Sequence, residues 1–143
     1  MEQPLSEARR CLAHDDVPVG AIVVGADGEL LGEGRNVREL DQDPTGHAEV
    51  IALRAASARL GNWRLDGCTL VVTLEPCVMC TGALIQSRIQ RVVFGAWDDK
   101  AGACGSVWDL ARDRAALHRV EVVAGVRAEE CAALLFEFFD QRR

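Results

Sequence analysis

Pro76-Cys77-Val78-Met79-Cys80 is the stretch around which the sequence is organised, and His47-Ala48-Glu49 lies thirty residues before it. Cys77 and Cys80 are three positions apart, so on a helix their thiols lie on one face and can bind one ion. Pro76 suits the first helical position, where the free amides and the positive end of the helix dipole favour thiolates. The stretch predicts a helix that begins at Pro76 and binds a metal through its first turn.

His47 would add a nitrogen ligand to the two sulfur atoms. Three protein ligands leave a fourth position for water, which is the pattern of catalytic rather than structural zinc. Glu49 is then free to move protons, for example to a ring nitrogen of a base and later to a leaving amine. Because His47 and Glu49 are about 200° apart on a helix, they share a pocket only where the helix points its N-terminus at it. The turn-forming residues 43–46 predict that a helix begins there.

Length and composition fit one globular domain with a substantial core, since 49% of the 143 residues are hydrophobic and 27% are charged. The sequence has no long apolar run of the kind that would predict a membrane span or a signal peptide. The chain has six cysteines, two of them in a C-x-x-C motif, which favours a reduced cytoplasmic protein over a secreted disulfide scaffold. A net charge of −6 argues against a surface that coats nucleic acid, so any RNA must be held locally.

Apolar periodicity predicts alternating strands and helices along the chain. The predicted strands cover residues 17–24, 30–36, 68–74, 91–95 and 120–124, and the predicted helices cover residues 5–14, 47–59, 76–87 and 128–140. A glycine-rich loop over residues 96–106 leads to a further short helix. This order predicts a layered α/β domain in which helices cover a sheet.

Several blocks around the two motifs resemble bacterial tRNA-specific adenosine deaminases, a branch of the cytidine and deoxycytidylate deaminase superfamily. The resemblance extends over nearly the whole chain, and its blocks are residues 16–21, 32–36, 43–45, 73–80, 87–89, 93–96 and 130–135. H-A-E with P-C-x-x-C alone would also admit cytosine, guanine and nucleotide deaminases, but the surrounding blocks favour the tRNA branch. The resemblance implies a three-layer α/β/α cytidine-deaminase-like fold with a five-stranded mixed sheet, and one zinc-dependent deaminase domain over residues 1–143.

The same resemblance implies a cytoplasmic homodimer that converts the wobble adenosine of a tRNA anticodon loop to inosine. One zinc ion per subunit would be bound by His47, Cys77 and Cys80, with Glu49 as the proton shuttle. Asn36 would hydrogen-bond the flipped nucleoside, and Asp98 would lie beside the RNA strand. The apolar face near the C-terminus is too wide for one stripe, so we expect most of its residues to be core: Leu134, Leu135, Phe136, Phe138 and Phe139. Phe139 could instead stack on a nucleotide beside Arg142 and Arg143.

Three alternatives remain open from the residues alone. The chain could be a deaminase of a free nucleobase or nucleoside, with the same zinc chemistry. It could be a catalytically silent subunit of the same fold, although a scaffold has no need of Glu49. A structural zinc knuckle would need a fourth Cys or His ligand, and no second C-x-x-C motif exists. The other cysteines fall on apolar stripes and are expected in the core, except Cys104, which lies in the glycine-rich loop.

Overall fold

The computed structural model describes residues 1–143, arranged around one five-stranded sheet with the order β2-β1-β3-β4-β5. The strands are β1 (Gly20–Val24), β2 (Leu30–Arg35), β3 (Thr69–Leu74), β4 (Arg91–Ala96) and β5 (Glu121–Val123). Strand β1 is antiparallel to β2 and β3, whereas β3, β4 and β5 run parallel. The sheet is therefore mixed, as predicted, and its parallel half needs helical crossovers.

Five α-helices complete the chain: α1 (Glu2–Arg10), α2 (Arg38–Asp41), α3 (Ala48–Leu60), α4 (Val78–Gln86) and α5 (Ala128–Asp140). Two short 3₁₀ turns cover Cys11–His14 and Leu110–Arg112. None of the helices is long and apolar enough to cross a bilayer.

Glycines on the strands let helices approach both faces of the sheet. A Cβ on Gly34 would overlap the backbone of α3 at Ala48 and Ala52, and one on Gly20 would overlap α1 at Pro4. In the antiparallel pair of β1 and β2, Gly34 lies opposite Ala21, the residue after Gly20. Because successive residues of a strand point to opposite faces of the sheet, Gly20 and Gly34 lie on opposite faces. Helix α5 lies over β4, where Gly95 faces Cys131. The three-layer α/β/α fold is confirmed, with α3 on one face and α1 on the other.

Two predicted helix starts differ from the structure. Helix α4 begins at Val78 with Cys77 as its N-cap, so Pro76 precedes the helix instead of opening it. The reason is that the extended backbone of Cys77 pairs with Gly102. Helix α1 begins at Glu2, three residues before the predicted start, and gives way to a 3₁₀ turn at Cys11, which leaves Leu12 exposed.

Helix α2 was not predicted from the sequence, whereas α5 has the predicted bounds. The first main-chain amides of α2, at Glu39 and Leu40, donate to the buried carboxylate of Asp16, a partner too far along the chain to be read as a local cap. In α5 only Phe138 of the three phenylalanines is buried, whereas Phe136 and Phe139 are 64% and 51% exposed. Leu134 and Leu135 also pack against the core, so three of the five residues of the predicted apolar face belong to it, and α5 leaves the other two on its outer side.

We predict that Gly34→Ala will lower the free energy of unfolding by about 1–3 kcal/mol, the usual cost of overpacking. The new methyl group would push against the backbone of α3, only 2.6 Å from the amide nitrogen of Ala52. Urea unfolding measures the change. Glu33→Ala is the matched control, since the Glu33 side chain is exposed, and should stay within about 0.5 kcal/mol. Equal stability of the Gly34 variant and the wild type would contradict the close contact.

Candidate metal centre

The N-termini of α3 and α4 meet at one edge of the sheet and bring His47, Cys77 and Cys80 together. His47 is the N-cap of α3 and Cys77 is the N-cap of α4. The His47 Nδ1 atom lies 3.6 Å from the Cys77 Sγ atom and 3.5 Å from the Cys80 Sγ atom. The three candidate ligand atoms all lie within 4.8 Å of one another. The predicted convergence of these three side chains is therefore present.

These donors suit zinc. Two sulfurs and one imidazole nitrogen form a set that zinc prefers, and three protein ligands are typical of its catalytic sites. A hydrogen bond from the Cys80 thiol lowers the pKa of the Cys77 thiol to about 4 and raises the pKa of Cys80. A hydrogen bond with Cys77 raises the pKa of the His47 imidazole. Thiolates are the metal-binding form of cysteine, so Cys77 already favours that form, whereas Cys80 has to lose its proton when a cation binds.

Glu49 lies in the first turn of α3, beside this cluster but not among its ligand atoms. Its side chain is almost completely buried, at 4% exposure, and this burial raises the pKa of its carboxyl to about 7. His47 and Glu49 share the pocket because the start of α3 points at it, as the sequence analysis required.

A cavity of about 170 Å³ opens beside the cluster. Its apolar walls include Val17, Val19 and Leu74, and its polar lining includes Asn36, Arg38, His47, Glu49, Cys77 and Asp98. Such a mixture of apolar walls and a few convergent polar groups is typical of small-molecule sites. The space suits one heterocyclic base and excludes a folded nucleic acid, so a polymer could present only one nucleotide to it.

Asn36 is held at the cavity by its neighbours. Its Nδ2 donates to the carbonyl oxygen of Val17 at 3.1 Å, and its Oδ1 accepts from the amide of Arg38 at 3.0 Å. A carboxamide has two N–H donors and an oxygen with two lone pairs. One donor and one lone pair therefore remain for a ligand, with the orientation of the side chain already fixed.

Asp98 also lines the cavity, from the loop that follows β4. Its Oδ1 accepts from the amides of Lys100 and Ala101 at 3.1 and 3.2 Å. The structure thus places Asp98 beside the cluster, while its predicted contact with RNA stays a prediction.

The C-terminal candidates do not reach the cavity. Arg142 lies over the Phe138 ring at 3.4 Å and donates to the Phe138 carbonyl oxygen and to Asp15. Arg143 is exposed. Phe139 lines a separate groove with His14 and Asp15, and this groove shares Val17 and Arg38 with the cavity. Any contact of these residues with a polymer would be with nucleotides next to the one in the cavity.

Two further residues near the site were missed as candidates. Arg38 is an exposed cation at the mouth of the cavity, and its position between Asn36 and the turn at 43–46 was the available signal. Glu75 is a buried carboxylate at the end of β3, and a charged residue after an apolar strand could have marked it. Cys104, unassigned from sequence, is buried and its sulfur lies 3.4 Å from the Thr81 hydroxyl, so it is a core residue.

The family model described as the cytidine and deoxycytidylate deaminase zinc-binding region matches residues 1–96. The chain belongs to the cytidine and deoxycytidylate deaminase family. The matched region contains Glu49 and the whole cluster of His47, Cys77 and Cys80, so the geometry and the family agree on zinc as the cofactor.

Two relatives show which members of this family the chain resembles. The tRNA-specific adenosine deaminase of Bacillus subtilis (strain 168) is 43% identical over 143 residues, which cover 100% of this chain and 88% of that protein. The tRNA(Ile)-lysidine synthase of Deinococcus radiodurans is 50% identical over the same length, but the chain spans only 24% of it. The resemblance to tRNA-specific adenosine deaminases is confirmed, and a similar segment also occurs within a much longer protein.

Solved structures of the family agree with the fold. A structure from a study of A-to-I editing by tRNA:A34 deaminases superposes with a TM-score of 0.90 at 39% identity, covering 94% of this chain and 96% of that one. A guanine deaminase from Nitrosomonas europaea superposes with a TM-score of 0.78 at 31% identity, covering 94% and 80%. The same architecture is therefore compatible with more than one substrate.

We predict that Cys77→Ser and Cys80→Ser will each purify with much less than one zinc per chain. Each variant should also melt about 6–12 °C lower, as expected for a loss of about 3 kcal/mol in a chain of this size, because the ion ties two helix N-termini together. Metal analysis and thermal unfolding measure both effects.

Cys104→Ser is the matched control for this pair, because Cys104 is a buried cysteine outside the ligand cluster and should keep its zinc. Stoichiometric zinc and normal melting in either ligand variant would show that the ligand assignment is wrong.

Proposed function

We propose that this protein is a zinc-dependent hydrolase that deaminates the wobble adenosine of a tRNA anticodon loop to inosine. The observation that carries the proposal is the buried Glu49 beside the His47, Cys77 and Cys80 cluster, in a cavity the size of one base. The RNA substrate is supported by the relatives that are named tRNA-specific adenosine deaminases.

The metal ligands, Glu49 and Asn36 have separate roles in this reaction. His47, Cys77 and Cys80 would hold the zinc ion, which when bound acts as a Lewis acid that lowers the pKa of water and supplies a nucleophile at neutral pH. Glu49 takes one proton from the attacking water and delivers it to the N1 atom of adenine. It then takes the remaining proton of the new hydroxyl group on C6 and gives it to the amine, which leaves C6 as ammonia. Asn36 binds the base through its free donor and acceptor, while the apolar walls exclude bulk water.

The RNA would be held at the rim of the cavity. The chain is acidic overall, so contacts with phosphate have to come from a few local cations, of which Arg38 lies nearest the cavity. Asp98 would contact the backbone of the flipped nucleotide, and Phe139, Arg142 and Arg143 would contact its neighbours. Arg142 would have to exchange its bond to Asp15 for a phosphate, so we expect it to contribute less than Arg38.

Deamination of a free base is the second candidate, because a guanine deaminase has the same architecture. The two are separated by measuring ammonia release from an anticodon stem-loop with a wobble adenosine and from free adenosine, cytosine and guanine. Turnover of the stem-loop alone supports the proposal. Turnover of a free base or nucleoside at a similar kcat/KM would replace it, and no turnover of any substrate would favour a silent subunit.

We predict that Glu49→Ala will keep its zinc and lose activity by at least about 10²–10⁴-fold, the usual contribution of a general acid/base. The metal ligands remain in this variant while the proton carrier is removed. Metal analysis combined with inosine formation measures the two effects separately. Glu33→Ala makes the same change at an exposed position and should behave like the wild type. A rate near that of the wild type in the Glu49 variant would remove Glu49 from the mechanism.

Asp98→Asn should raise activity on a single-stranded DNA hairpin relative to RNA. An amide oxygen can keep the two main-chain bonds of Asp98 Oδ1, so the loop is expected to stay in place. The other carboxylate oxygen can accept from a 2′-hydroxyl, which DNA lacks. With DNA, this oxygen of Asp98 has no donor, which costs about 1–3 kcal/mol for an unpaired acceptor, and the negative charge of the carboxylate faces phosphate. The amide removes that charge and provides a donor.

The expected change in the DNA to RNA ratio of kcat/KM is about tenfold, equivalent to ~1.4 kcal/mol. The ratio is measured on matched RNA and DNA anticodon hairpins. Asp99→Asn is the control, because Asp99 is the neighbouring exposed carboxylate and does not line the cavity. If both substitutions leave the ratio unchanged, Asp98 is a solvated loop residue.

We infer that residues 1–143 act as one domain and assemble as a homodimer through the outer face of α4. Val78 and Met79 are exposed there, Gly82 has open space around it, and Leu117 beside it is 81% exposed. Cys80 and Thr81 of the same helix are buried in the subunit itself and do not belong to this outer face. Apolar exposure of this kind supports an interface.

Light scattering should therefore give a dimer mass, and Leu117→Glu should shift it toward the monomer. Leu60→Glu, at an exposed position on α3, is the control and should remain dimeric. A monomer mass for the wild type at working concentration would contradict the assembly.

The proposed site of action is the cytoplasm. All six cysteines are free thiols, including three outside the cluster that are buried in separate parts of the core, Cys11, Cys68 and Cys131. Free thiols and a thiolate metal site both suit a reducing compartment, where the tRNA substrate is also found.

A further inference from the structure

Glu75 is a buried carboxylate that the proposed chemistry does not use. Its side chain is 1% exposed, and its oxygens are occupied by main-chain amides of the loop after β4. Oε1 accepts from Asp98 at 3.0 Å, and Oε2 accepts from Cys104 at 2.9 Å and from Ser106 at 3.2 Å. A buried carboxylate is tolerated only when it is hydrogen-bonded in this way, so the loop and the carboxylate depend on each other.

The loop closes around Glu75 with no spare room. A Cβ on Gly102 would overlap the Glu75 carboxyl group. Gly102 also pairs with Cys77, and the amide of Ala103 donates to the Pro76 carbonyl oxygen at 2.8 Å. The segment that follows Glu75 in the chain carries two of the three candidate metal ligands, Cys77 and Cys80. One carboxylate therefore joins the loop to the strand end from which the metal centre is built.

Asp98 is the loop residue that this arrangement fixes most completely. Its amide donates to Glu75, and its carbonyl oxygen accepts from the Ser106 hydroxyl at 2.7 Å and from the Gly102 amide at 2.9 Å. Because its own side chain is held by the next turn of the loop, the free carboxylate oxygen has little freedom to move. The position of that oxygen at the cavity follows from the position of Glu75.

We propose that Glu75 is a positioning residue for substrate choice: it places Asp98 so that the enzyme selects ribose over deoxyribose at the reacting nucleotide. The inference rests on the proposed function, since it presumes an RNA substrate that meets Asp98. It assigns Glu75 no contact with the substrate. A general structural role would lower stability and rate without changing the choice between RNA and DNA.

The experiment is a double-mutant cycle on the zinc-loaded protein with Glu75→Gln and Asp98→Ala. A glutamine amide has nearly the same shape as the Glu75 carboxylate but one acceptor oxygen instead of two, so it cannot satisfy all three main-chain donors. The readout is the RNA to DNA ratio of kcat/KM on matched anticodon hairpins, together with kcat on RNA and zinc content. Hydrogen exchange at the amides of Asp98, Cys104 and Ser106 reports directly on the loop.

We expect Asp98→Ala to lower the RNA to DNA ratio about tenfold and Glu75→Gln to lower it by a similar factor, with kcat on RNA within about threefold of the wild type and zinc retained. The double variant should be no worse than either single variant, because residues in one network couple. Ser106→Ala removes a single bond from an exposed side chain, and it should act in the same direction more weakly even if Glu75→Gln folds poorly.

Asp16→Asn is the matched control. Asp16 is also buried and also accepts from two main-chain amides, but these belong to α2 and not to the loop after β4. Its substitution should leave the RNA to DNA ratio within about twofold of the wild type.

The outcomes separate the inference from the function on which it rests. A wild type that releases no ammonia from the RNA hairpin would remove the proposed function itself. With an active wild type, the inference is overturned if the Glu75 and Asp98 effects multiply in the double variant, or if Glu75→Gln and Ser106→Ala both leave the ratio unchanged.

Discussion

The constraint on which the structure depends is the meeting of two helix N-termini at one point. His47 and Cys77 each cap a helix, α3 and α4, and their side chains converge only because both helices start at the same edge of the sheet. The positive ends of two helix dipoles lie close together there, which favours anionic sulfur and costs energy without it. The metal ligands thus balance an arrangement of helices that the fold would otherwise disfavour.

The rest of the fold keeps those two helix starts in register. The backbone of α3 packs directly against Gly34, which fixes the position of α3 on the sheet. Helix α4 does not start before Val78, because the backbone of Cys77 is extended and pairs with Gly102. Glu49 is carried into the pocket by the first turn of α3 and needs no device of its own. The position of the proton carrier is therefore a consequence of packing between α3 and β2, where Gly34 lies against Ala48, the residue between His47 and Glu49.

What the sequence could predict was limited by distance along the chain. The cluster was predictable because its spacing is local within each motif, and β1, β3 and β4 were predictable because their apolar runs are continuous. Helix α2 and the role of Glu75 were not, since their partners lie more than twenty residues away. The apolar residues of α5 were too many for one face, and the sequence could not show which of them would stay outside the core; Phe136 and Phe139 are the two that are exposed.

The substrate must be chosen outside the metal centre. A guanine deaminase and a structure from a study of tRNA:A34 deaminases both share this architecture, so the fold alone cannot distinguish a free base from a nucleotide in RNA. Of the cavity lining, Arg38 lies at the start of α2, and Asp98 lies in the loop after β4, which is tied to the segment of Cys77 through main-chain bonds. These two segments can vary while the starts of α3 and α4 stay fixed. A buried carboxylate that anchors one of them offers a way to hold a selective contact rigidly without altering the zinc site, since its bonds run to the main chain and leave the ligands free.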